Sequence, residues 1–164
     1  MTALQTAFAA ALSVILVLLT AFTTLTVRSA IVARDSAART GWLSRIGRAS
    51  DRDTQRWAFV VHRTTGMAVF AFLLLHVVDV GLYAISPAWF DDVHILYSTA
   101  ALRVFECFLL YAILFHALNG LRLITLDLVD IRSATAGRLL SLCIVLTLLL
   151  GTAAAFVILR PVAS

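Results

Sequence analysis

The sequence has few of the residues that build soluble domains or metal clusters. Its 164 residues include two Cys, two Pro and seven Gly, and only 13% of them are charged. Two cysteines exclude a disulfide framework, a four-cysteine metal site and an iron–sulfur cluster held by this chain alone. The sequence also lacks a glycine-rich phosphate loop and a dinucleotide-binding fingerprint. Since soluble domains have about a quarter of their residues charged, the composition indicates a membrane protein.

Apolar residues make up 62% of the chain and fall into four long runs. A helix that spans the hydrocarbon core of a bilayer needs about 20 mostly apolar residues. The runs cover Ala7–Val27, Trp57–Ala84, Leu102–Ile124 and Leu139–Leu159. Strand patterns are absent, and a lipid-exposed segment must satisfy its own backbone hydrogen bonds. We therefore expect an all-α integral membrane bundle of four transmembrane helices.

The basic residues are all Arg, and their positions indicate the orientation of these helices. Seven of them lie between the first two runs, from Arg28 to Arg56, against three Asp. The positive-inside rule places this connection in the cytoplasm. The next connection contains Asp91 and Asp92 and no Arg, whereas Arg122, near the end of the third run, and Arg132 and Arg138 lie at the third connection. The pattern predicts a multi-pass protein of the cell (inner) membrane with both termini outside, and the net charge of +4 reports topology rather than nucleic-acid binding.

Two histidines lie within apolar runs of consecutive helices, His76 in the second run and His116 in the third. An ionisable group inside the bilayer costs about 2.5–3.5 kcal/mol on insertion scales, so each of these residues needs a reason. A single histidine of this kind is explained equally well by a hydrogen bond to a neighbouring helix. Two of them together favour metal ligation by neutral imidazole. Haem iron is the natural metal, because its apolar macrocycle fits between helices.

The depths of these histidines differ. At a rise of 1.5 Å per residue, His76 lies about 20 Å along its helix from Arg63, whereas His116 lies about 9 Å from Arg122. The two histidines would therefore serve two haems, each with its second axial ligand from a hydrophobic partner chain. Arg63 and Arg122, at the inner surface, would pair with haem propionates or extend to the lipid headgroups. Because Gly120 has no side chain, either the macrocycle or a neighbouring helix could approach the backbone closely there.

Candidate quinone-binding residues gather on the outer side. They are Asp79, Glu106 and Tyr83, and Ser86, His94 and Tyr97 are expected to lie nearby. A carboxylate and a tyrosine beside an apolar slot suit a quinone, because its reduction takes up two protons and its tail is hydrocarbon. Tyr83 is also explained by interfacial anchoring, and Glu106 by pairing with Arg103 three residues before it.

Three further residues are interpreted as packing residues. Cys107 and Cys143 are expected to fill apolar space as small side chains. Gly151, in the fourth run, is suited to close helix packing.

Three motifs together resemble the cytochrome b membrane-anchor subunit of succinate dehydrogenase. The motifs are His62-Arg63-Thr64-Thr65-Gly66, Leu73-Leu74-Leu75-His76-Val77-Val78-Asp79 and Phe115-His116-Ala117-Leu118-Asn119-Gly120-Leu121-Arg122, followed by Asp127. The resemblance covers roughly Arg56 to Asp127, and the family normally has three helices. On this basis we expect an extra N-terminal transmembrane helix over residues 1–29, an ordered or partly ordered Arg-rich cytoplasmic connection over 30–56, and a three-helix core over 57–164.

The resemblance implies a role in a succinate:quinone oxidoreductase. In such a complex, soluble flavoprotein and iron–sulfur subunits oxidise succinate on the cytoplasmic side, and electrons pass into the membrane to menaquinone or ubiquinone. The chain would bind two haem b groups together with a second hydrophobic anchor subunit. His116 falls on the family's haem-ligand position, and His76 on the distal ligand position of the two-haem branch. His62 and Arg63 fall where the family contacts the inner haem's propionates and the inner quinone site.

One position departs from the family pattern. Relatives with a well-formed inner quinone site often have a serine three residues before the His-Arg pair, and here that residue is Phe59. This departure favours a quinone site in the outer half, near Asp79 and Glu106.

Other interpretations remain open on the sequence. The chain would be a part of an enzyme rather than its catalytic subunit, and it could equally serve a fumarate reductase or another respiratory dehydrogenase. A haem-free structural anchor, whose histidines only cross-link helices, is a further alternative. A small transporter is disfavoured because the sequence shows no inverted repeat.

Overall fold

The computed structural model describes residues 2–38, 48–129 and 133–160, and the regular structure of these residues is helical throughout. The helices are α1 (Ala3–Ala38), α2 (Arg48–Ile85), α3 (Pro87–His94), α4 (Ala100–Leu128) and α5 (Ser133–Leu159), with a 3-10 turn at Ile95–Ser98 between α3 and α4. Four of them, α1, α2, α4 and α5, are long and apolar enough to cross a membrane. The expected membrane helical bundle is confirmed.

The helices extend beyond the apolar runs, most clearly in the Arg-rich connection. There α1 continues to Ala38 and α2 already begins at Arg48. Ala and Arg are good helix formers, so both helices continue after the apolar sequence has ended. Residues 39–47 of the expected surface segment lie outside the described residues.

The short helix α3 lies where the sequence interpretation had only a loop. Pro87 occupies its first turn, where the missing backbone N–H costs nothing. Ser86 before it is extended, with φ −157°, because a residue that precedes proline avoids the helical region. Asp92 of α3 is held by α1: the Gln5 amide donates to the Asp92 backbone oxygen at 2.9 Å, and the Thr2 hydroxyl donates to its carboxylate.

Helix α4 is central, since it packs against both α2 and α5, while α1 packs against α2 and α3. The α4–α5 contact is close because the Tyr111 ring lies directly on Gly151, where any Cβ would overlap it. The Tyr111 hydroxyl is also 2.9 Å from Thr152 Oγ1. Close packing at Gly151 is thus confirmed. Cys107 and Cys143 are buried free thiols, as expected.

The two ends of the bundle differ in polarity. We call the end that contains Arg63 and Arg122 the arginine end. The opposite end, which contains Asp79 and Glu106, is the acidic end. Candidate site residues lie at both.

Candidate functional site

The arginine end is built around a pair of stacked histidines. The rings of His62 on α2 and His116 on α4 lie 4.1 Å apart between centroids, with 4° between their planes. Each histidine is followed four residues later by a glycine. A Cβ on Gly66 would lie 2.7 Å from Cε1 of His116, and one on Gly120 would lie 3.4 Å from Cε1 of His62. The two helices run antiparallel, so each His-x-x-x-Gly motif places its glycine against the histidine of the other.

His116 is oriented by the backbone of α2. Its Nδ1 is 3.1 Å from the backbone oxygen of His62. A carbonyl oxygen only accepts hydrogen bonds, so Nδ1 is assigned the proton and Nε2 keeps its lone pair. Histidines that ligate metals are commonly held in this way, with the second ring nitrogen donating to a carbonyl or carboxylate. His116 and the space left by Gly66 therefore fit an axial ligand to haem iron.

His62 occupies a different position in the same pair. Its Nδ1 is buried and has no hydrogen-bond partner among the described residues. Because its ring face, rather than a ring nitrogen, opposes His116, the two imidazoles are not arranged as the two axial ligands of one iron.

Arg63 is exposed and lies beside aromatic rings from two helices. Its guanidinium carbon is 5.8 Å from the ring centroid of Phe22 on α1 and 5.5 Å from that of Phe59 on α2. Both distances are in the cation–π range. Phe59 lies at the position where the resembled family often has serine. In this chain the residue at that position makes an aromatic contact with Arg63.

Arg122 is not at the surface position expected from the sequence, because its side chain is only 4% exposed. It donates hydrogen bonds to the Ala136 backbone oxygen at 3.2 and 3.1 Å and to Asn119 Oδ1 at 3.3 Å, and it also donates to Gln55 Oε1. A buried charge needs such partners to offset the loss of water. Arg122 therefore joins α2, α4 and α5, and its proposed contact with a haem propionate stays a prediction.

His76 lies far from the stacked pair. It is 14 residues after His62 on α2, a separation of about 21 Å along the helix axis. Its side chain is exposed, and its ring stacks on Phe72 with 5.6 Å between centroids. A group bound by His76 would therefore lie against the outer surface of this chain.

The acidic end brings together Asp79 and Glu106, which the sequence singled out, with Tyr97 of the 3-10 turn. Burial, followed by the charges of Asp79 and then Glu106, raises the pKa of Tyr97 to about 12. Asp79 is only 5% exposed, and its Oδ1 has no hydrogen-bond partner among the described residues. An acceptor left unpaired inside the bundle is costly, because it has lost its water partners without gaining a hydrogen bond.

Tyr83 does not join this cluster. Its side chain is 60% exposed and makes an edge contact with Phe90, with 5.4 Å between ring centroids. Tyr97 is one of the residues that the sequence placed near Asp79 on the outer side. The signal for it was its place in the connection between the two helices that carry Asp79 and Glu106.

Across the described residues, no group of three or more His, Cys, Asp or Glu side chains is placed to hold a metal ion. Haem needs no such group, because the macrocycle supplies most of the donors and a protein adds single side chains such as histidine.

Comparison with known proteins identifies the family. Residues 43–154 match the family described as succinate dehydrogenase/fumarate reductase transmembrane subunit. The chain is 40% identical over 75 residues to the succinate dehydrogenase 2 membrane subunit SdhC of Mycobacterium tuberculosis, a match that covers 46% of this chain and 55% of that relative. It is 32% identical over 90 residues to a succinate dehydrogenase hydrophobic membrane anchor subunit of Halobacterium salinarum, which covers 54% of this chain and 68% of that relative.

The chain thus spans little more than half the length of the first of these relatives. The family match nevertheless covers well over half of the chain, and it begins after the end of α1. The chain belongs to the succinate dehydrogenase/fumarate reductase transmembrane subunit family and is a multi-pass membrane anchor subunit.

Proposed function

We propose that this chain is the haem b-binding anchor subunit of a succinate:quinone oxidoreductase and that it passes electrons from an iron–sulfur subunit to a membrane quinone. The observation that carries the proposal is the hydrogen bond from His116 Nδ1 to the His62 backbone oxygen, with Gly66 leaving room for the ring. Together these features hold a neutral imidazole in one orientation with Nε2 available, which is what an axial ligand requires.

The remaining residues of the arginine end have supporting roles in this proposal. Haem, when bound, supplies one-electron redox chemistry. His62 covers one face of the His116 ring, and the exposed guanidinium of Arg63 would bind a propionate. Arg122 makes hydrogen bonds inside the bundle, so its contribution is to hold α4 and α5 in position.

A second haem b at His76 follows from the same reasoning. His76 is about 21 Å from His62 along α2, so it cannot serve the same iron as His116. Its exposure on the outer surface of α2 supports a haem shared with a second hydrophobic anchor subunit, which would supply the opposite axial ligand at each level.

The quinone site belongs, in this proposal, at the acidic end. The Tyr97 hydroxyl would donate to a quinone carbonyl, and the unpaired Asp79 oxygen would accept the hydroxyl of the reduced form, with Glu106 nearby. Tyr83 was a candidate from sequence, but its exposed position supports interfacial anchoring instead. Proton transfer by positioned carboxylates contributes typically 10²–10⁴-fold to a rate.

The orientation follows from the charges. The arginine end would face the cytoplasm and contact the iron–sulfur subunit, with the flavoprotein subunit beyond it. The acidic end and both termini would lie outside, in the cell (inner) membrane. A fumarate reductase would use the same arrangement in the opposite direction, and the dicarboxylate reaction that the purified complex favours would decide between them.

The proposal is tested on the complete complex by reduced-minus-oxidised spectra and haem extraction. We expect two haem b groups, one lost in His116→Ala and the other in His76→Ala. His94→Ala is the matched control, because His94 also lies in an aromatic stack but has no proposed ligand role, and it should keep both. An assembled complex without haem would contradict the proposal and favour a structural anchor.

A further inference from the structure

Two clefts between α1, α2 and α4 lie next to each other, and together they are called the groove. Phe72, Leu75 and Phe105 line both of them. On α4 the lining residues extend from Leu102 near the acidic end to Ala112 in the middle of the span. Ten residues of helix correspond to about 15 Å. The groove therefore runs along the helices from the acidic end toward the centre of the bundle.

The groove is polar at one end only. Tyr97 and Glu106 line it at the acidic end, and every other lining residue is apolar. At the far end Ala68, Ala71 and Ala112 contribute only methyl groups, which leaves width between the helices. The clefts enclose about 20 Å³ at the acidic end and about 100 Å³ farther along the helices. A hydrocarbon chain therefore fits along the wider part, with its polar head at the mouth of the narrow, acidic end.

The charges at the acidic end restrict the chemistry of that head. The carboxylates of Asp79 and Glu106 would repel the phosphate of a phospholipid. A neutral head with carbonyl and hydroxyl groups is matched instead, since the Tyr97 hydroxyl donates and the Glu106 carboxylate accepts at the lining of the cleft. Among membrane molecules, a quinone combines such a head with an apolar tail.

We propose that this groove holds the isoprenoid tail of the membrane quinone and that α1 forms one of its walls. Ile15 and Leu19 of α1 face Ala71 of α2 across the cleft, so α1, which precedes the family match, completes a site that α2 and α4 alone leave open. This inference rests on the proposed quinone site at the acidic end, but it concerns the tail and the role of α1.

The direct test uses the complete complex and a quinone that carries a photoreactive group at the end of its tail. After irradiation we expect adducts on α1 at or near Ile15 and Leu19. Excess unlabelled long-tailed quinone should reduce these adducts about tenfold or more. Adducts that avoid α1, or α1 adducts displaced by phospholipid and not by quinone, would overturn the proposal.

A second test narrows the groove. In Ala71→Leu, the added bulk should raise the KM for a long-tailed quinone about tenfold and change that for a short-tailed analogue by less than about twofold. Ala153→Leu on the exposed surface of α5, outside the groove, is the control and should change neither. An equal effect on both tail lengths would contradict tail binding here. If Ala71→Leu does not assemble, the labelling of the unmodified complex decides.

The outcomes also separate this inference from the proposed function. If the complex contains haem and reduces quinone but α1 is not labelled, the proposed function stands and the proposal that the groove binds the tail is contradicted. A complex without haem would lose the function, and labelling of α1 would still decide whether a quinone tail occupies the groove.

Discussion

The two ends of the bundle differ in how their polar side chains are hydrogen-bonded. At the arginine end, His116 pairs with the backbone of His62, and Arg122 pairs with acceptors on three helices. Buried polar atoms of His62, Thr64 and Asn119 at that end nevertheless have no hydrogen-bond partner among the described residues. At the acidic end, Asp79 keeps an unpaired oxygen and His76 lies exposed. The chain by itself thus orients His116 and Arg122 at one end, and both ends retain buried polar atoms that a ligand or a partner could pair.

This difference separates two ways of building a site. An imidazole already fixed by a hydrogen bond and a glycine loses little freedom when it binds a metal, so its affinity depends on geometry set by α2 and α4. A buried carboxylate with an unpaired oxygen has lost free energy of hydration, and a hydroxyl group that donates a hydrogen bond to it would recover part of that free energy. Substitutions at the arginine end should therefore change occupancy and stability, whereas those at the acidic end should change reactivity.

The largest expected effect is at the acidic end. Asp79→Asn keeps the shape of the side chain but removes its ability to take up a proton, so quinone reduction should fall about hundredfold. Succinate oxidation with a soluble artificial acceptor should stay unchanged, because that reaction bypasses the anchor. Tyr83→Phe, at an exposed position nearby, is the control. Unchanged quinone reduction in Asp79→Asn would remove this residue from the site.

At the arginine end the sharpest substitution is Gly66→Ala. The new methyl group would lie 2.7 Å from Cε1 and 3.1 Å from Nδ1 of His116, so the ring must move and its hydrogen bond to His62 weakens. We expect haem bound at His116 to fall about tenfold in affinity, which corresponds to about 1.4 kcal/mol, measured by haem content and spectra.

Two other glycines provide matched controls for that substitution. A Cβ on Gly120 would meet His62 at an ordinary 3.4 Å, and one on Gly81 would have nothing within 4 Å. Gly120→Ala and Gly81→Ala should both retain the haem, since alanine is otherwise favoured over glycine in a helix. Equal haem loss in all three variants would show that Gly66 has no special role.

The sequence predicted the fold well because its strongest signals are local. A run of apolar residues such as Leu139–Leu159 has to form a helix in a bilayer, and no tertiary contact changes that outcome. The short helix α3 was missed because its Pro87 start was read as part of a loop. It is stabilised by a distant contact, from Gln5 to Asp92, which sequence spacing does not indicate.

The site was predicted in its residues rather than in its geometry. His62, His116, Gly66 and Gly120 all lie in the motifs, and yet each histidine was considered with its own helix. Their reciprocal packing depends on the antiparallel alignment of α2 and α4, which a one-dimensional pattern does not fix. The burial of Arg122 escaped prediction for the same reason, since its acceptor on Ala136 comes from α5.

Arg122 tests whether pairing within the chain stabilises the arginine end. Arg122→Met removes the guanidinium that donates to Asn119 Oδ1, Gln55 Oε1 and the Ala136 backbone oxygen. These acceptors would lose that donor inside the bundle, so the free energy of unfolding should fall by about 2–3 kcal/mol. A lower thermal midpoint of the purified complex would report this. Arg63→Met is the matched control, because its exposed cation–π contacts are worth about 1 kcal/mol or less. Equal midpoints for the two variants would contradict a special role for Arg122.

The smallest expected effect concerns the protonation of Tyr97. Burial and the charges of Asp79 and Glu106 raise its pKa from 10.0 to about 12, so its hydroxyl should remain a hydrogen-bond donor above pH 10. The phenolate absorbance of the complex minus that of Tyr97→Phe should show a late step. Since the unfolded tyrosine ionises near pH 10 and the folded one near about 12, the stabilisation is present below pH 10 and is lost across that interval. Asp79→Asn should shift the step to lower pH by removing a negative charge, whereas an unshifted step would show that Asp79 does not act on Tyr97.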